Sequence, residues 1–148
     1  MVFKLRMIIA YLTYSGNTEE VALMIRDYLQ KDGIEVDLHR IGIDAPFHPE
    51  TYDLVFLGTF TWEKGATPDE VKDFVWEIGY KPSNMVIFGT GDTQFGGDDL
   101  FCKAVDKLSV FYGSSHPVLK IEQSPRGYQQ RAVYDWLEGV LHHAKSYA

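Results

Sequence analysis

Cysteine is nearly absent from this chain: Cys102 is the sole thiol in 148 residues. One cysteine excludes an internal disulfide and a zinc site built on cysteine pairs. Cations are also scarce, with 14 Lys and Arg against 21 Asp and Glu for a formal net charge of −7. Such a charge balance disfavours phosphate backbones and anionic lipid, so no nucleic acid and no membrane is expected as partner, whereas basic proteins remain open. No apolar run approaches the ~20 residues that span a bilayer, and the opening stretch from Met1 to Ile9 is too short for a signal peptide. A cytoplasmic protein is the expectation. Repeats, low-complexity tracts and linkers are missing too, while 45% of residues are hydrophobic. Residues 1–148 are therefore expected to form one domain with a sizeable core.

What is present is organised around the stretch from Tyr11 to Glu20. An apolar run, Met7 to Leu12, leads in, and an amphipathic run, Val21 to Leu29, leads out. Between them lie Thr13, Ser15, Thr18, Gly16 and Asn17, with no Lys or Arg. Such a turn, from buried strand to helix N-terminus, offers backbone N–H groups, a favourable dipole and hydroxyl donors to an anion. Gly16 allows close backbone approach or a positive φ. The loop is neither a Walker A nor a GxGxxG motif, and taken alone it also fits an ordinary capped connection.

Further along, Tyr52 to Gly58 and Asn84 to Gly89 repeat the continuous apolar character of Leu5 to Thr13, as buried parallel strands do. Ile34 to Ile41 alternates and reads as an edge strand; Pro117 to Ile121 reads as the last strand. Helices are expected over Asn17–Lys31, after the cap Thr67-Pro68-Asp69-Glu70, from about Asp98 to Phe111, and over Tyr128–Ser146. Five strand–helix alternations imply right-handed βαβ units and a parallel sheet. The order 2-1-3-4-5 fits, with a ligand crevice at the carboxyl ends of strands 1 and 3. The polar or aromatic loops after strands 1, 3 and 4 converge there.

These loops resemble those of the flavodoxin family. Thr13-Tyr14-Ser15-Gly16-Asn17-Thr18 is similar to the family's phosphate loop, Thr/Ser-x-Thr/Ser-Gly-Asn-Thr. Leu57-Gly58-Thr59 through Thr61-Trp62 resembles the loop whose Trp lies against the isoalloxazine ring, and Gly89-Thr90-Gly91-Asp92 resembles the Gly-x-Gly-Asp of the second flavin loop. The likeness covers essentially the whole chain, without the insertion in the last strand that marks long-chain members. Flavodoxin is itself a type example of this strand order and crevice, so that agreement is not independent. The resemblance implies an α/β, flavodoxin-like three-layer sandwich with a five-stranded parallel sheet, binding FMN non-covalently. It assigns Thr13, Tyr14, Ser15, Gly16, Asn17 and Thr18 to the phosphate. Backbone groups of Thr59, Thr61, Glu63, Lys64 and Gly65, and of Thr90, Gly91 and Asp92, fall to the ring edges, and Trp62 and Phe95 to its faces.

The function implied is a low-potential one-electron carrier, a monomer without substrate turnover of its own. It would shuttle electrons from a flavoprotein reductase (a ferredoxin/flavodoxin-NADP reductase-like donor) to basic-surfaced acceptor enzymes. Two departures stand out. Phe95 occupies the place where many members stack a Tyr, and Glu63 and Lys64 occupy the peptide that flips toward flavin N5 on one-electron reduction. Glycine there would flip most easily, so less stabilisation of the one-electron-reduced flavin is expected. Glu63, Asp69, Glu70, Asp92, Asp98 and Asp99 gather near these loops. A carboxylate about 10 Å from the ring, at an effective dielectric of roughly 20 to 80, opposes added negative charge by about 0.4–1.7 kcal/mol. That is roughly 20–70 mV per carboxylate for one electron.

Alternatives within the same fold are an activator of ribonucleotide reductase and a flavin-dependent quinone or nitro reductase. A phosphorylated response regulator is excluded, because Tyr11-Leu12-Thr13 and Leu57-Gly58-Thr59 hold no Asp. A low-molecular-weight tyrosine phosphatase is excluded because the first loop has no Cys. Cys102 and Trp136 are expected to be packing residues, and His142-His143 solvated surface.

Overall fold

The computed structural model describes residues 4–92 and 100–146. A five-stranded parallel sheet forms its centre, from β1 (Arg6–Tyr11), β2 (Glu35–Arg40), β3 (Leu54–Phe60), β4 (Met85–Gly91) and β5 (Leu119–Glu122). The order is β2-β1-β3-β4-β5, as expected, with β2 at an edge. Among the described residues four α-helices cover the sheet: α1 (Asn17–Lys31), α2 (Asp69–Ile78), α3 (Lys103–Tyr112) and α4 (Tyr128–Ser146).

Successive side chains of a strand point to opposite faces, so the continuous apolar runs feed two cores at once. Met7, Ile9, Phe56, Val86 and Phe88 pack under α1 and α4, against Val21, Ile25, Leu29, Val133, Leu137 and Val140. Ile8, Ala10, Val55, Leu57 and Ile87 pack under α2 and α3, against Val71, Phe74, Val105 and Leu108. Each fully buried aliphatic or aromatic side chain contributes roughly 1.5–3 kcal/mol. This burial, more than helix propensity, fixes the helices on the sheet. Trp136 belongs to the first core, as expected, and its indole N–H donates to the carbonyl of Pro117 at 2.7 Å.

Two glycines let the middle strands close up directly beneath the site. A Cβ at Gly58 would lie 2.1 Å from Cζ of Phe88, and one at Gly89 would lie 2.4 Å from the carbonyl oxygen of Thr59.

One expectation needs correction. The capping box before α2 does not form: Pro68 is the N-cap and makes no side-chain cap bond. The Glu70 carboxylate is instead taken by the phenol of Tyr14. Helix α3 runs from Lys103, with Cys102 as its N-cap in the left-handed region at φ 51°. Its expected start near Asp98 lies outside the described residues.

Candidate functional site

The first loop leaves the sheet where strand order reverses. Leu12 N–H still donates to the Gly58 carbonyl at 3.1 Å, so the chain departs between β1 and β3. Gly16 then caps α1 at φ 97° with no side-chain cap bond. The first N–H groups of α1 thus stay open at the positive end of the helix dipole, a donor set suited to phosphate without any cation. The three hydroxyls of the loop are not equivalent. Thr13 Oγ1 accepts the Gly16 N–H at 3.0 Å and shapes the turn. Ser15 is exposed. Thr18 is 1% exposed, and its Oγ1 shares a 2.8 Å hydrogen bond with Oγ1 of Thr90, itself 2% exposed. The carboxylate of Glu19, which opposes an anion in the loop, accepts the phenol of Tyr11 at 2.9 Å. Burial first, then this bond, pushes the Tyr11 phenol up to about 12.

The second loop is a tight excursion from the end of β3. Trp62 N–H donates to the Ala66 carbonyl at 2.8 Å, closing a bridge around the single 3-10 turn Glu63–Gly65. Lys64 sits there at φ 57° and ψ 28°, a left-handed conformation that costs a non-glycine residue roughly 1–2 kcal/mol. Helix α3 holds this loop in place. Lys107 Nζ donates to the Gly65 carbonyl at 2.8 Å, and Thr61 Oγ1 accepts the Ala104 N–H at 3.1 Å, supplying a cap that Cys102 does not. Trp62 remains 52% exposed, edge-on to Tyr14 at 5.8 Å and tilted to Phe60 at 5.7 Å.

Between this loop and the end of β4 lies a cleft of about 280 Å³, its walls including Phe60, Trp62, Gly65, Gly91, Asp92 and Cys102. A Cβ at Gly91 would come within 3.1 Å of the Cys102 sulfur, so glycine keeps that wall flat. Burial pushes the Cys102 thiol up to about 12, which leaves it protonated and inert, a packing residue as expected. An aromatic wall, a glycine wall and a neutral anion loop alongside suit a planar ring with a phosphate tail.

Of the residues singled out in the sequence, the structure brings Thr13 to Thr18, Thr59 to Gly65 and Thr90 to Asp92 to one end of the sheet. Thr59 is buried and donates its hydroxyl to the Phe60 carbonyl at 2.7 Å. Asp92 accepts from Gln123 Nε2 at 3.1 Å. Phe95, Asp98 and Asp99 lie outside the described residues. Sequence reasoning missed Lys107, Gln123 and the pairing of Tyr14 with Glu70; their partners are far off in sequence, and no local spacing signals them. His143 is a further correction: only His142 is exposed, while His143 is half-buried with its ring against His116 at 4.7 Å. Among the described residues no group of three or more His, Cys, Asp or Glu could hold a metal, and no helix is long and apolar enough to cross a membrane.

The loops and the strand order together define an α/β protein with an open anion loop and an aromatic-walled cleft at its switch point. The flavodoxin family model matches residues 9–114. Probable flavodoxin 2 of Bacillus subtilis is 34% identical over 140 residues, covering 88% of this chain and 91% of that one. Oxidised flavodoxin 2 of Bacillus cereus superposes with a TM-score of 0.78 at 31% identity, over 93% of this chain and 99% of that one. A short-chain flavodoxin associated with a bacterial microcompartment shares the fold with a TM-score of 0.84, at 24% identity and 95% and 99% coverage. The chain belongs to the flavodoxin family. FMN is its cofactor, and its general role is that of an FMN-binding electron carrier.

Proposed function

We propose that this chain holds FMN by the open amides and hydroxyls of Thr13–Thr18 and by the cleft beside Trp62. On this reading it passes single electrons at low potential from a flavoprotein reductase to acceptor redox enzymes. The observation that carries the reading is the pairing of an uncapped, cation-free helix N-terminus with an aromatic and glycine-walled slot at the same sheet end. When bound, the flavin supplies electron storage and release. The protein's own contribution is positional and electrostatic. Residues 13–18 would take the phosphate, and Trp62 would cover one ring face, with Phe95 as the expected partner on the other. Backbone groups of Thr59, Thr61, Glu63, Lys64, Gly65, Thr90, Gly91 and Asp92 would meet the ring edges. Asp69, Glu70 and Asp92 surround the site with negative charge, which disfavours further reduction of the ring and steers basic partners toward it. The reading includes a monomer in the cytoplasm with no substrate turnover of its own.

The test is to purify the protein, record its visible absorption, and photoreduce it stepwise without oxygen. Flavin absorption followed by accumulation of a one-electron-reduced species is the expected result. A colourless protein that fails to bind added FMN overturns the reading. Steady NAD(P)H turnover by the protein alone replaces it with a flavin reductase.

A further inference from the structure

The hydroxyl pair beneath the first loop joins parts of the chain that are 72 residues apart. Thr18 belongs to the first turn of α1, and Thr90 to the last turn of strand before β4 ends at Gly91. Both are essentially without solvent, and among the described residues Thr18 is the only hydrogen-bond partner of the Thr90 side chain. Two hydroxyls bring two hydrogens, but one hydrogen suffices for the bond between them. In the free protein either oxygen can be the donor. An anion resting on the N-terminus of α1 removes that freedom. An anion that takes the Thr18 hydrogen leaves Thr90 to donate to Thr18, and each bond in such a chain polarises the next.

We infer that the Thr90 side chain is a positioning group for phosphate recognition, acting through Thr18 and not by touching the phosphate. The inference rests on the proposed placement of the FMN phosphate and adds to it a selectivity device. The loop contains no cation, so an ordered chain of neutral donors, Thr90 to Thr18 to anion, takes the place of a lysine or arginine. It favours a ligand that carries the phosphate over the same ring system without it. The buried β-branched pair also has no spare rotamer to lose on binding, because packing already fixes both side chains.

The experiment compares FMN with riboflavin on the apoprotein, by flavin fluorescence titration, in the wild type, Thr90→Val and Thr90→Ser. Valine keeps the shape and removes the hydroxyl; serine restores it. Thr90→Val is expected to weaken FMN binding up to about tenfold, the upper scale of one neutral hydrogen bond polarised by the anion beyond it. Riboflavin binding should change less than about twofold, and Thr90→Ser should return FMN affinity to within about threefold of wild type. Inorganic phosphate, competing against FMN, should lose affinity in Thr90→Val in parallel with FMN. Equal weakening of FMN and riboflavin would reduce Thr90 to a structural residue and overturn the inference. So would an FMN affinity unchanged in Thr90→Val, or a serine variant that fails to rescue. A wild-type protein that binds neither flavin overturns the proposed function, and this inference with it. The two failures are therefore distinguishable.

Discussion

The phenol of Tyr14 donates to the carboxylate of Glu70, tying the first loop to the opening turn of α2 across 56 residues of sequence. The same ring packs 4.9 Å from Phe60 and edge-on to Trp62, so both cofactor loops and α2 meet at one side chain. The Glu70 hydrogen bond, before any other cause, holds the Tyr14 phenol above its ordinary value. Glu70→Gln should bring its ionisation back toward the ordinary tyrosine range of about 10. Ultraviolet difference spectra of each protein against its Tyr14→Phe counterpart isolate this tyrosine among the nine. Identical alkaline titrations would show that the pair does not persist in solution.

Gly58→Ala places a methyl group on the buried ring of Phe88, with no flexible side-chain end to yield. Overpacking of this kind costs about 1–3 kcal/mol. Urea denaturation should show a lowered midpoint with an unchanged slope. A midpoint equal to wild type would mean that β3 and β4 separate freely at their carboxyl ends.

Tyr112 presents the opposite defect. Its ring is buried, but its hydroxyl has no hydrogen-bond partner among the described residues, and burial pushes the phenol up to about 12. Tyr112→Phe removes an unpaired polar group while keeping the ring. Stability should stay level or rise by about 1 kcal/mol. A loss of that size in a thermal melt would reveal a bonded hydroxyl.

Much of this architecture is legible in sequence because its causes are local. Leu54-Val55-Phe56-Leu57 reads as a strand with two buried faces, and Thr13 to Thr18 as a turn from a buried strand into a helix N-terminus, from adjacent residues alone. The cap of α2 misled because Tyr14, distant in sequence, takes the Glu70 carboxylate that a capping box would use. The cap of α3 is equally non-local: its Ala104 N–H is satisfied by Thr61, from another loop. Local rules gave way where one group had two possible partners and tertiary packing chose the distant one.

Acid should destabilise the fold through two histidines. Burial, first among the causes, lowers the pKa values of His39 and His116; His143 adds to the effect at His116, while Asp44 and Glu77 only partly oppose it at His39. A depressed folded-state value means the unfolded chain binds the proton more readily. Stability is therefore full above about 6.5, the unfolded value, and falls as pH drops below it. Denaturant midpoints between about pH 7 and pH 5 should decline less steeply in His39→Gln and His116→Gln than in wild type. Parallel declines in all three would assign the acid sensitivity to other groups.

The left-handed Lys64 and the Lys107 bond to the Gly65 carbonyl both restrict the turn beside Trp62. Lys64→Gly should stabilise the protein by about 1 kcal/mol, strain relief less the added chain entropy. It should also increase the one-electron-reduced fraction during photoreduction. Lys107→Met should increase that fraction without the gain in stability. Unchanged fractions in both variants would show that this turn does not limit the response to reduction.

Helix α4 is the last described element, yet Val133, Trp136, Leu137 and Val140 roof the same core that Met7, Ile9, Phe56 and Phe88 floor. During synthesis from the N-terminus, that floor is made long before its roof. The face beneath α1 stays sticky until residues 128–146 clear the ribosome, and α1, with the anion loop at its head, lacks its neighbour until then. Closure of that core is thus a late event in the life of each new chain, set by the helix that is made last among the described elements.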